Sequence, residues 1–512
     1  MAGHLYLIRG DIRRLSCDSW LMPTDRVGSV TDSWATDPIV ANHLDGGLLK
    51  RCLGGWPAPS RSFRMTVDRR PAIWPTDVGG GADTPIEWYI EGVEAFLHLA
   101  AGEGPPSRWR DRLLLALPLI GTGHGGVDAR KGGLIDQVIR GLVNFVADHE
   151  VDVAIVIADP KPMAAAQHVR WAINAEMRRS GMPGLWEALP SEVDEAASSL
   201  GQAATAGGLV VFFGAGLSLS VGLPDWDRLL EQLAHAANVA GDWGERLGEL
   251  DRRDRALLIE AELGPERMKQ EVSDRLSGGL PGLLHSLLAT LPINEFVTTN
   301  FDTLFEEAAT AAGLDAAVLP YEARHGSQRW LLKLHGSVDR SDIILTRGDY
   351  LGLPARSGAL AGIVQALLIT KQMLFLGYSL QDEDFHQLVY DVRKAVGNGD
   401  QRMHLGTVIL PESAGFLGDI WKGQFQILAM SDLAPSDDKP NLLVEMFLDR
   451  LVAETFRDSV SYLLDPEYRD LLDPSDVELA QALQGLKSLV ADASTPARAA
   501  LKRFFNDTGA IP

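Results

Sequence analysis

The chain has 512 residues, of which 46% are hydrophobic and 23% charged, a composition typical of globular proteins. This length exceeds one ordinary domain, so we expect two domains and an appendage. The formal net charge of −22 disfavours binding to nucleic acid. The only two cysteines, Cys17 and Cys52, exclude a four-cysteine zinc site and argue against a disulfide framework. Short apolar runs and an N-terminus without a signal pattern predict a cytoplasmic protein with no membrane segment.

Residues 1–190 form the first predicted domain. Short strand-like runs alternate there with helix-like stretches, which predicts a mixed α/β fold. The strand candidates are His4–Arg9, Asp18–Met22, Leu113–Leu119 and Val153–Ala158, and the helix candidates are Gly133–His149 and Met163–Arg179. The polar and small residues of 191–207 indicate a linker or a short exposed helix.

Residues 208–455 form the second predicted domain, and 456–512 a helical C-terminal extension. The strand candidates of the second domain are Leu209–Phe213, Phe296–Thr299, Trp330–Leu334, Met373–Leu376, Gly406–Leu410 and Phe425–Met430. Helical pattern lies between them, notably at Trp226–Ala240, Gly244–Glu262 and Pro281–Leu291. Strands separated by helices predict a Rossmann-like parallel sheet with right-handed crossovers.

A polar cluster follows each of several of these strands directly. The first strand leads into a glycine-rich turn within Leu209–Ser218, which reads LVVFFGAGLS. Later clusters lie in Thr298–Asp302 (TTNFD), Lys333–Ser337 (KLHGS) and Phe375–Asp384 (FLGYSLQDED). Because the carboxyl ends of parallel strands share one edge of the sheet, we expect these side chains to meet in one crevice. Glycines and a helix start after the first strand suit a nucleotide diphosphate.

Each cluster also fits a purely structural role. The Gly214–Gly216 segment fits a tight turn that packs a helix against a strand, and Ser218 fits a helix N-cap. Asn300 and Asp302 fit caps of a helix over Thr303–Ala312. His335 fits a satisfied histidine at a strand end, and Asp382 and Asp384 fit a solvated helix start. The order and concurrence of the clusters favour a site over these separate roles.

Together, these motifs resemble the sirtuin (silent information regulator) family over about 250 of the 512 residues. The motifs that carry the resemblance are Gly214–Ser218, Gly222–Pro224, Thr299–Asp302, Leu334–Ser337 and Gly377–Ser379. The segments Gly222–Trp226 (GLPDW), Leu345–Tyr350 (LTRGDY) and Phe375–Asp384 are more narrowly similar to the bacterial sirtuin-like NADases of anti-phage defence. The fold class that follows is α/β: a sirtuin-type domain with a Rossmann-like parallel sheet, preceded by a second α/β domain.

The resemblance implies cleavage of the nicotinamide–ribose bond of NAD⁺, with Asn300, His335 and Asp302 as catalytic residues. Asn300 would orient a water or the ribose hydroxyls, Asp302 would bind the carboxamide, and His335 would act as general base or bind ribose hydroxyls. The diphosphate would lie on Gly214, Ala215, Gly216 and Ser218, and the adenosine half near Gly377, Ser379 and Asp382. The remaining residues expected around NAD⁺ are Pro224, Trp226 and Thr299. No metal is expected.

Two departures from the deacetylase branch carry information. The segment after Pro224 reads DWD, where deacetylases usually carry DFR, and no cysteine follows position 52. The zinc ribbon of deacetylases is therefore missing, and the helical stretch 227–290 replaces the small zinc-bearing domain. This disfavours binding of an acyl-lysine peptide.

The first domain resembles a macro domain. The motifs that carry this resemblance are Arg9–Ile12, Cys17–Met22 and Leu117–Gly126, with Asp45–Gly47 as a remnant of a second glycine loop. By this resemblance Asp11 would hold an adenine amino group, and Gly121, Thr122, Gly123 and Gly125 the phosphates of an ADP-ribose-like nucleotide. The segment Met22–Asp25 lacks the asparagines of macro hydrolases, so we expect binding without hydrolysis. A diverged Rossmann-like scaffold for protein contacts is the alternative.

The sequence thus predicts an NAD⁺ glycohydrolase that depletes NAD⁺ as an anti-phage effector. We expect a homo-oligomer that stays weakly active until a phage or partner-protein trigger acts. Two alternatives stay open: an NAD-dependent protein deacylase or ADP-ribosyltransferase, and a non-catalytic nucleotide sensor or scaffold.

Overall fold

The structure, a computed structural model, divides into two compact units. The first comprises Met1–Ala188 and Phe456–Pro512, and the second Leu189–Thr455. The residues that the structure describes are 2–25, 30–38, 40–41, 60–65, 71–79, 84–107, 109–119, 131–238, 248–322, 328–340, 342–396, 404–434, 439–487 and 496–509.

The first unit contains a parallel sheet of five strands in the order β1-β5-β4-β2-β3. The strands are β1 (Leu5–Arg9), β2 (Ser19–Thr24), β3 (Ala72–Asp77), β4 (Leu113–Pro118) and β5 (Val151–Ile157). The buried interior strand β5 (VDVAIVI) consists mainly of β-branched and small apolar residues, as a strand covered on both faces requires. The predicted α/β class of this region is confirmed.

Helices surround this sheet, and the C-terminal segment belongs to the same unit. The helices are Asp32–Ala35, Ile86–Ala101, Lys131–Asp148, Pro160–Arg179, Pro474–Lys487 and Pro496–Asp507, with 3₁₀ turns at Ile12–Arg14 and Pro466–Leu471. Lys131 pairs with Glu467 at 2.6 Å and Lys161 with Asp465 at 3.2 Å, so the extension after residue 455 is anchored to this unit. The extension is helical, as predicted.

The second unit contains a parallel sheet of seven strands in the order β14-β13-β12-β6-β7-β9-β8. The strands of this unit are β6 (Leu209–Phe213), β7 (Glu295–Thr298), β8 (Ala317–Leu319), β9 (Trp330–Lys333), β10 (Gly336–Ser337), β11 (Asp342–Ile343), β12 (Gln372–Leu376), β13 (Gly406–Leu410) and β14 (Phe425–Ala429). Strands β10 and β11 form a separate antiparallel pair. The first strand of the unit, β6, lies between β7 and β12, so the chain order reverses beside it.

The helices of the second unit lie between these strands and at its ends. They are Ser191–Thr205, Gly216–Leu219, Trp226–Ala236, Arg252–Leu263, Pro265–Leu276, Leu283–Thr290, Leu304–Ala311, Arg347–Thr370, Glu383–Val396, Leu417–Ile420, Met430–Leu433 and Pro440–Thr455. One apolar core joins the sheet to the later helices through Phe212, Phe375 and Phe385. A second core joins the helices between residues 226 and 276 to Phe301, Val338 and Leu345. Among the described residues, no helix combines the length and apolar character needed to cross a bilayer.

The stretch 191–207 differs from its predicted role as a linker or short exposed helix. It forms the helix Ser191–Thr205, and one face of that helix is buried within the second unit. Asp194 bonds to the buried Arg450 at 2.7 Å, and Gly201 lies against Glu454. Small residues on this face allow the helix to approach the helix Pro440–Thr455 closely. The buried face was not predicted, because polar and small residues dominate the composition of the stretch.

We predict that Gly201→Leu destabilises the second unit. A β-carbon at position 201 would lie 2.6 Å from Cβ of Glu454, so the two helices must move apart. We expect a loss of about 1–3 kcal/mol in the free energy of unfolding, measured by chemical denaturation. Gln202→Leu, at the adjacent exposed position, is the matched control. Equal unfolding curves for the two variants would contradict the packing of this helix.

Candidate functional site

The predicted site residues lie just beyond one row of paired residues at the carboxyl edge of the sheet. Leu376, Phe213, Thr298 and Lys333 are aligned across the neighbouring strands β12, β6, β7 and β9. Neighbouring strands lie about 4.8 Å apart. The chain therefore leaves four adjacent strands at the same level. The next residues along each strand are those that the sequence singles out.

The glycines of this edge are required by a close approach of two backbone loops. A β-carbon at Gly214 would lie 2.7 Å from the carbonyl oxygen of Gly377, and one at Gly216 would lie 2.7 Å from Cα of Gly377. The Gly216 N–H donates to the Gly377 carbonyl at 2.9 Å. Gly377 itself has φ of +58°, which favours glycine. The tight-turn role considered from the sequence is thus present. The predicted diphosphate role of Gly214, Ala215 and Gly216 stays a prediction.

Ser218 lies inside the short helix Gly216–Leu219 and does not cap it, because Ala215 is at the N-cap position. The Ser218 hydroxyl donates to Oδ2 of Asp302 at 2.9 Å. Nδ2 of Asn300 donates to the same hydroxyl at 3.3 Å, and Nε2 of His285 lies 3.3 Å from it. The structure therefore brings together Ser218, Asn300 and Asp302, three of the predicted site residues.

The loop that carries Asn300 and Asp302 is held at both ends. Thr298 donates its hydroxyl to the Phe213 carbonyl at 2.9 Å and accepts the Asn300 N–H at 3.0 Å. Lys333 is fully buried, and its ammonium donates to the Asp302 carbonyl at 2.6 Å and to Glu306 at 2.8 Å. The other carboxylate oxygen of Asp302, Oδ1, accepts the Leu304 N–H at 3.1 Å, which is the helix-start role considered from the sequence.

His335 is buried, and both of its ring nitrogens face polar groups. Nε2 lies 3.4 Å from Oδ2 of Asp382, and Nδ1 lies 3.5 Å from the hydroxyl of Tyr350. Burial lowers the pKa of His335, the positive charge of Arg253 lowers this pKa as well, and Asp382 opposes both. The ring is therefore neutral near pH 7 and can accept a proton at a nitrogen.

The other predicted NAD⁺ contacts lie around these groups. Pro224 and Trp226 are half-buried, and the Trp226 ring packs edge-on against Phe301 at 6.1 Å, next to Asn300. Thr299 is half-buried and Ser379 is exposed. Their roles in binding stay predictions.

Several side chains of this site were assigned no role in it from the sequence. They are Arg253, His285, Thr298, Lys333 and Tyr350. His285 lies within the apolar helix Leu283–Thr290, where a lone histidine signals no ligand. Arg253 stacks over the Tyr350 ring at 4.9 Å and pairs with Glu383 at 2.6 Å. A lysine between leucines in a strand was the one available signal for Lys333.

The predicted ligand residues of the first unit fall into two groups. Gly121, Thr122, Gly123, Gly125 and the segment Asp45–Gly47 lie outside the described residues. Asp11 caps the turn Ile12–Arg14, and its carboxylate accepts the N–H of Arg13 at 3.0 Å and the Arg13 guanidinium at 2.5 Å. The predicted contact of Asp11 with an adenine amino group stays a prediction. Within the part of the chain that the structure describes, no three acidic, histidine or cysteine side chains are grouped as a metal site.

Comparison with known proteins identifies the second unit. Residues 294–425 match the family model of the SIR2-like domain. The chain carries a SIR2-like domain of the sirtuin superfamily. The matched stretch runs from β7 to the start of β14 and includes Asn300, His335 and Gly377. The resemblance predicted from the sequence is confirmed.

Curated relatives match this domain at moderate identity. The chain is 28% identical over 201 residues to the NAD(+) hydrolase ThsA of Cytobacillus dafuensis, covering 38% of this chain and 40% of that protein. It is 30% identical over 208 residues to ThsA of Enterococcus faecium, covering 39% of this chain and 42% of that protein. It is 24% identical over 232 residues to Defense-associated sirtuin 2 of Bacillus subtilis, covering 43% of this chain and 23% of that protein. The chain thus spans about two fifths of the length of the ThsA proteins that it matches.

A solved structure, the macrodomain of Thermus aquaticus DarG, matches with 19% identity and a TM-score of 0.23, covering 30% of this chain and 98% of that one. The macro-like character of the first unit stays a prediction.

We predict that Gly216→Ala destabilises the SIR2-like domain. The added methyl would meet the backbone of Gly377, which cannot rotate out of the way. We expect a loss of about 1–3 kcal/mol in the free energy of unfolding. Gly208→Ala, one residue before β6, is the control, because its β-carbon meets only the Ala203 carbonyl at an ordinary 3.5 Å. Unchanged stability of Gly216→Ala would contradict the close approach of the two loops.

Proposed function

We propose that the SIR2-like domain hydrolyses NAD⁺ to nicotinamide and ADP-ribose, and that the protein acts as an anti-phage effector when triggered. The observation that supports this best is the position of Asn300 and His335. Each lies two residues beyond the aligned pair Thr298 and Lys333, on neighbouring strands of one sheet edge. The names of the relatives, NAD(+) hydrolase and Defense-associated sirtuin, agree with this proposal.

The reaction breaks the bond between the nicotinamide nitrogen and C1′ of the ribose, and water adds to C1′ with release of a proton. Positive charge develops on the ribose as nicotinamide leaves, so the site must hold the ribose and direct the water. Asn300 suits this task, since its Oδ1 is buried and bonds to no described residue. An amide acceptor in that state attracts a hydroxyl or water proton. The neutral ring of His335 accepts the proton that the reaction releases, or orients the ribose hydroxyls.

The surroundings of the site favour hydrolysis over transfer to a protein. The helices between residues 226 and 276 pack directly onto Phe301, Val338 and Leu345, beside the loops that carry Asn300 and His335. In the deacetylases that this domain resembles, a small zinc-bearing domain occupies this position, beside the cleft that binds the peptide. We propose that the helices exclude an acyl-lysine peptide and leave water as the acceptor. A deacylase is the second candidate, and dependence of turnover on an acetylated peptide would favour it.

We predict that Asn300→Ala and His335→Ala each abolish release of nicotinamide from NAD⁺, measured with purified protein at high concentration over long incubations. Removing a transition-state contact of this kind lowers the rate by about 10²–10⁴-fold. Both side chains lie at strand ends, so we expect folded variants by circular dichroism. His404→Ala, at an exposed histidine, is the matched control and keeps wild-type turnover. Wild-type rates in either site variant would contradict the assignment.

We predict an acid limb in the pH profile that moves when Asp382 is changed. His335 acts in its neutral form, and its pKa is lowered from the ordinary value, so activity falls only below about pH 6.5. Asp382 stabilises the protonated ring, so Asp382→Asn lowers the pKa of His335 further and moves the limb to lower pH. A limb that moves to higher pH, or that does not move, would show that His335 does not control it.

A further inference from the structure

A buried polar cluster around Ser218 contains one group, His285, that the proposed reaction does not use. His285 is fully buried, and Ser218, Asn300 and Asp302 are exposed by 3%, 5% and 8%. The Ser218 hydroxyl contacts the three others at 2.9–3.3 Å. Because hydrogen bonds among buried groups must match donors to acceptors, the orientation of each group follows from its neighbours.

The backbone N–H of Gly282 determines which ring nitrogen of His285 carries the proton. The Gly282 N–H points at Nδ1 of His285 at 3.2 Å. A backbone N–H can only donate, so Nδ1 carries no proton and the neutral ring has its proton on Nε2. Burial also lowers the pKa of His285 to about 4, with Asp302 opposing, so the ring stays neutral at physiological pH. His285 therefore donates through Nε2 to Ser218 and cannot take a proton from it.

The hydrogen bonds of the Ser218 hydroxyl determine which way the Asn300 amide is turned. Its single proton goes to Asp302, because a carboxylate only accepts. Its two lone pairs then accept from Nε2 of His285 and from Asn300, so Asn300 must present its NH₂ group to Ser218. The amide oxygen Oδ1 is left on the other side, buried and bonded to no described residue. A reversed amide would set two acceptor oxygens against each other and leave both without a proton to share, which is unfavourable.

We propose that His285 is a positioning residue that, through Ser218, holds the Asn300 amide with Oδ1 toward the reacting ribose or water. The inference rests on the proposed hydrolysis of NAD⁺. It also reassigns Ser218: all three hydrogen-bonding positions of the hydroxyl are used within the protein, so Ser218 contributes to the orientation of Asn300 and not to binding the diphosphate.

Steady-state kinetics separate this role from a structural one. His285→Leu removes the donor, and we expect kcat to fall roughly tenfold while KM for NAD⁺ changes less than about threefold, as loss of one buried hydrogen bond predicts. His285→Gln keeps an acceptor for Gly282 and a donor for Ser218, so we expect kcat within about threefold of wild type. Ser286→Ala, one residue along the same helix and also buried, is the control and keeps wild-type kinetics.

Ser218→Ala tests the same chain of contacts without changing the helix. We expect the kcat loss of His285→Leu, again with little change in KM. A raised KM with unchanged kcat would place Ser218 on the diphosphate and overturn the proposal. Wild-type kcat in His285→Leu, or an equal loss in His285→Gln, would also overturn it.

Nitrogen-15 NMR of the histidine rings reports on His285 independently of activity. The signal lost in His285→Gln identifies the residue, and we expect a neutral ring with its proton on Nε2 that does not titrate near pH 6.5. A proton on Nδ1, or titration near pH 6.5, would overturn the proposal. If wild-type protein releases no nicotinamide, the proposed function fails, whereas the ring state still decides whether His285 orients Asn300.

Discussion

The whole site depends on the register of one row of paired residues across the parallel sheet. Leu376, Phe213, Thr298 and Lys333 lie side by side on four adjacent strands. A slip of one residue in any strand would turn its side chains to the opposite face. Because the strands end together, the loops that follow them meet at one level. The site is thus a consequence of backbone pairing, and the side chains complete it.

Close contact between two of these loops sets their geometry. Gly216 donates its N–H to the Gly377 carbonyl, and neither position has room for a β-carbon. Thr298 joins the ends of β6 and β7, and the buried Lys333 joins the ends of β7 and β9 through the carbonyl of Asp302. Each link uses a polar group near strand ends, where backbone groups lack partners within the sheet. The loops are therefore held in place before a substrate binds.

Much of this fold could be predicted from the sequence, because each buried parallel strand appears in it as a short run of apolar residues. The predicted bounds of β6 and β13 agree with the structure, those of β9, β12 and β14 differ by one residue at one end, and those of β7 differ by one residue at both ends. The strand β3 was missed because it contains Pro75, which a sheet accepts here since β3 is an edge strand. The polar helix Pro265–Leu276 lies within the helical stretch predicted over 227–290, but its own bounds were not predicted.

The site was predictable only in part. Polar residues that directly follow a strand, such as Asn300 and His335, stand out against the apolar run before them. His285 lies 67 positions from Ser218 and is surrounded in sequence by leucines, so only the folded chain shows their contact. The same holds for Tyr350 and Arg253 beside His335, which reach the site from separate helices.

The central claim is that this buried edge cleaves NAD⁺ with water as the acceptor. The most direct measurement incubates purified protein with NAD⁺, with and without an acetylated peptide, and quantifies free nicotinamide and ADP-ribose. The account predicts equal amounts of the two products, formed at the same rate with and without peptide. Release of nicotinamide only when peptide is present, or formation of an acetylated ADP-ribose product, would contradict it.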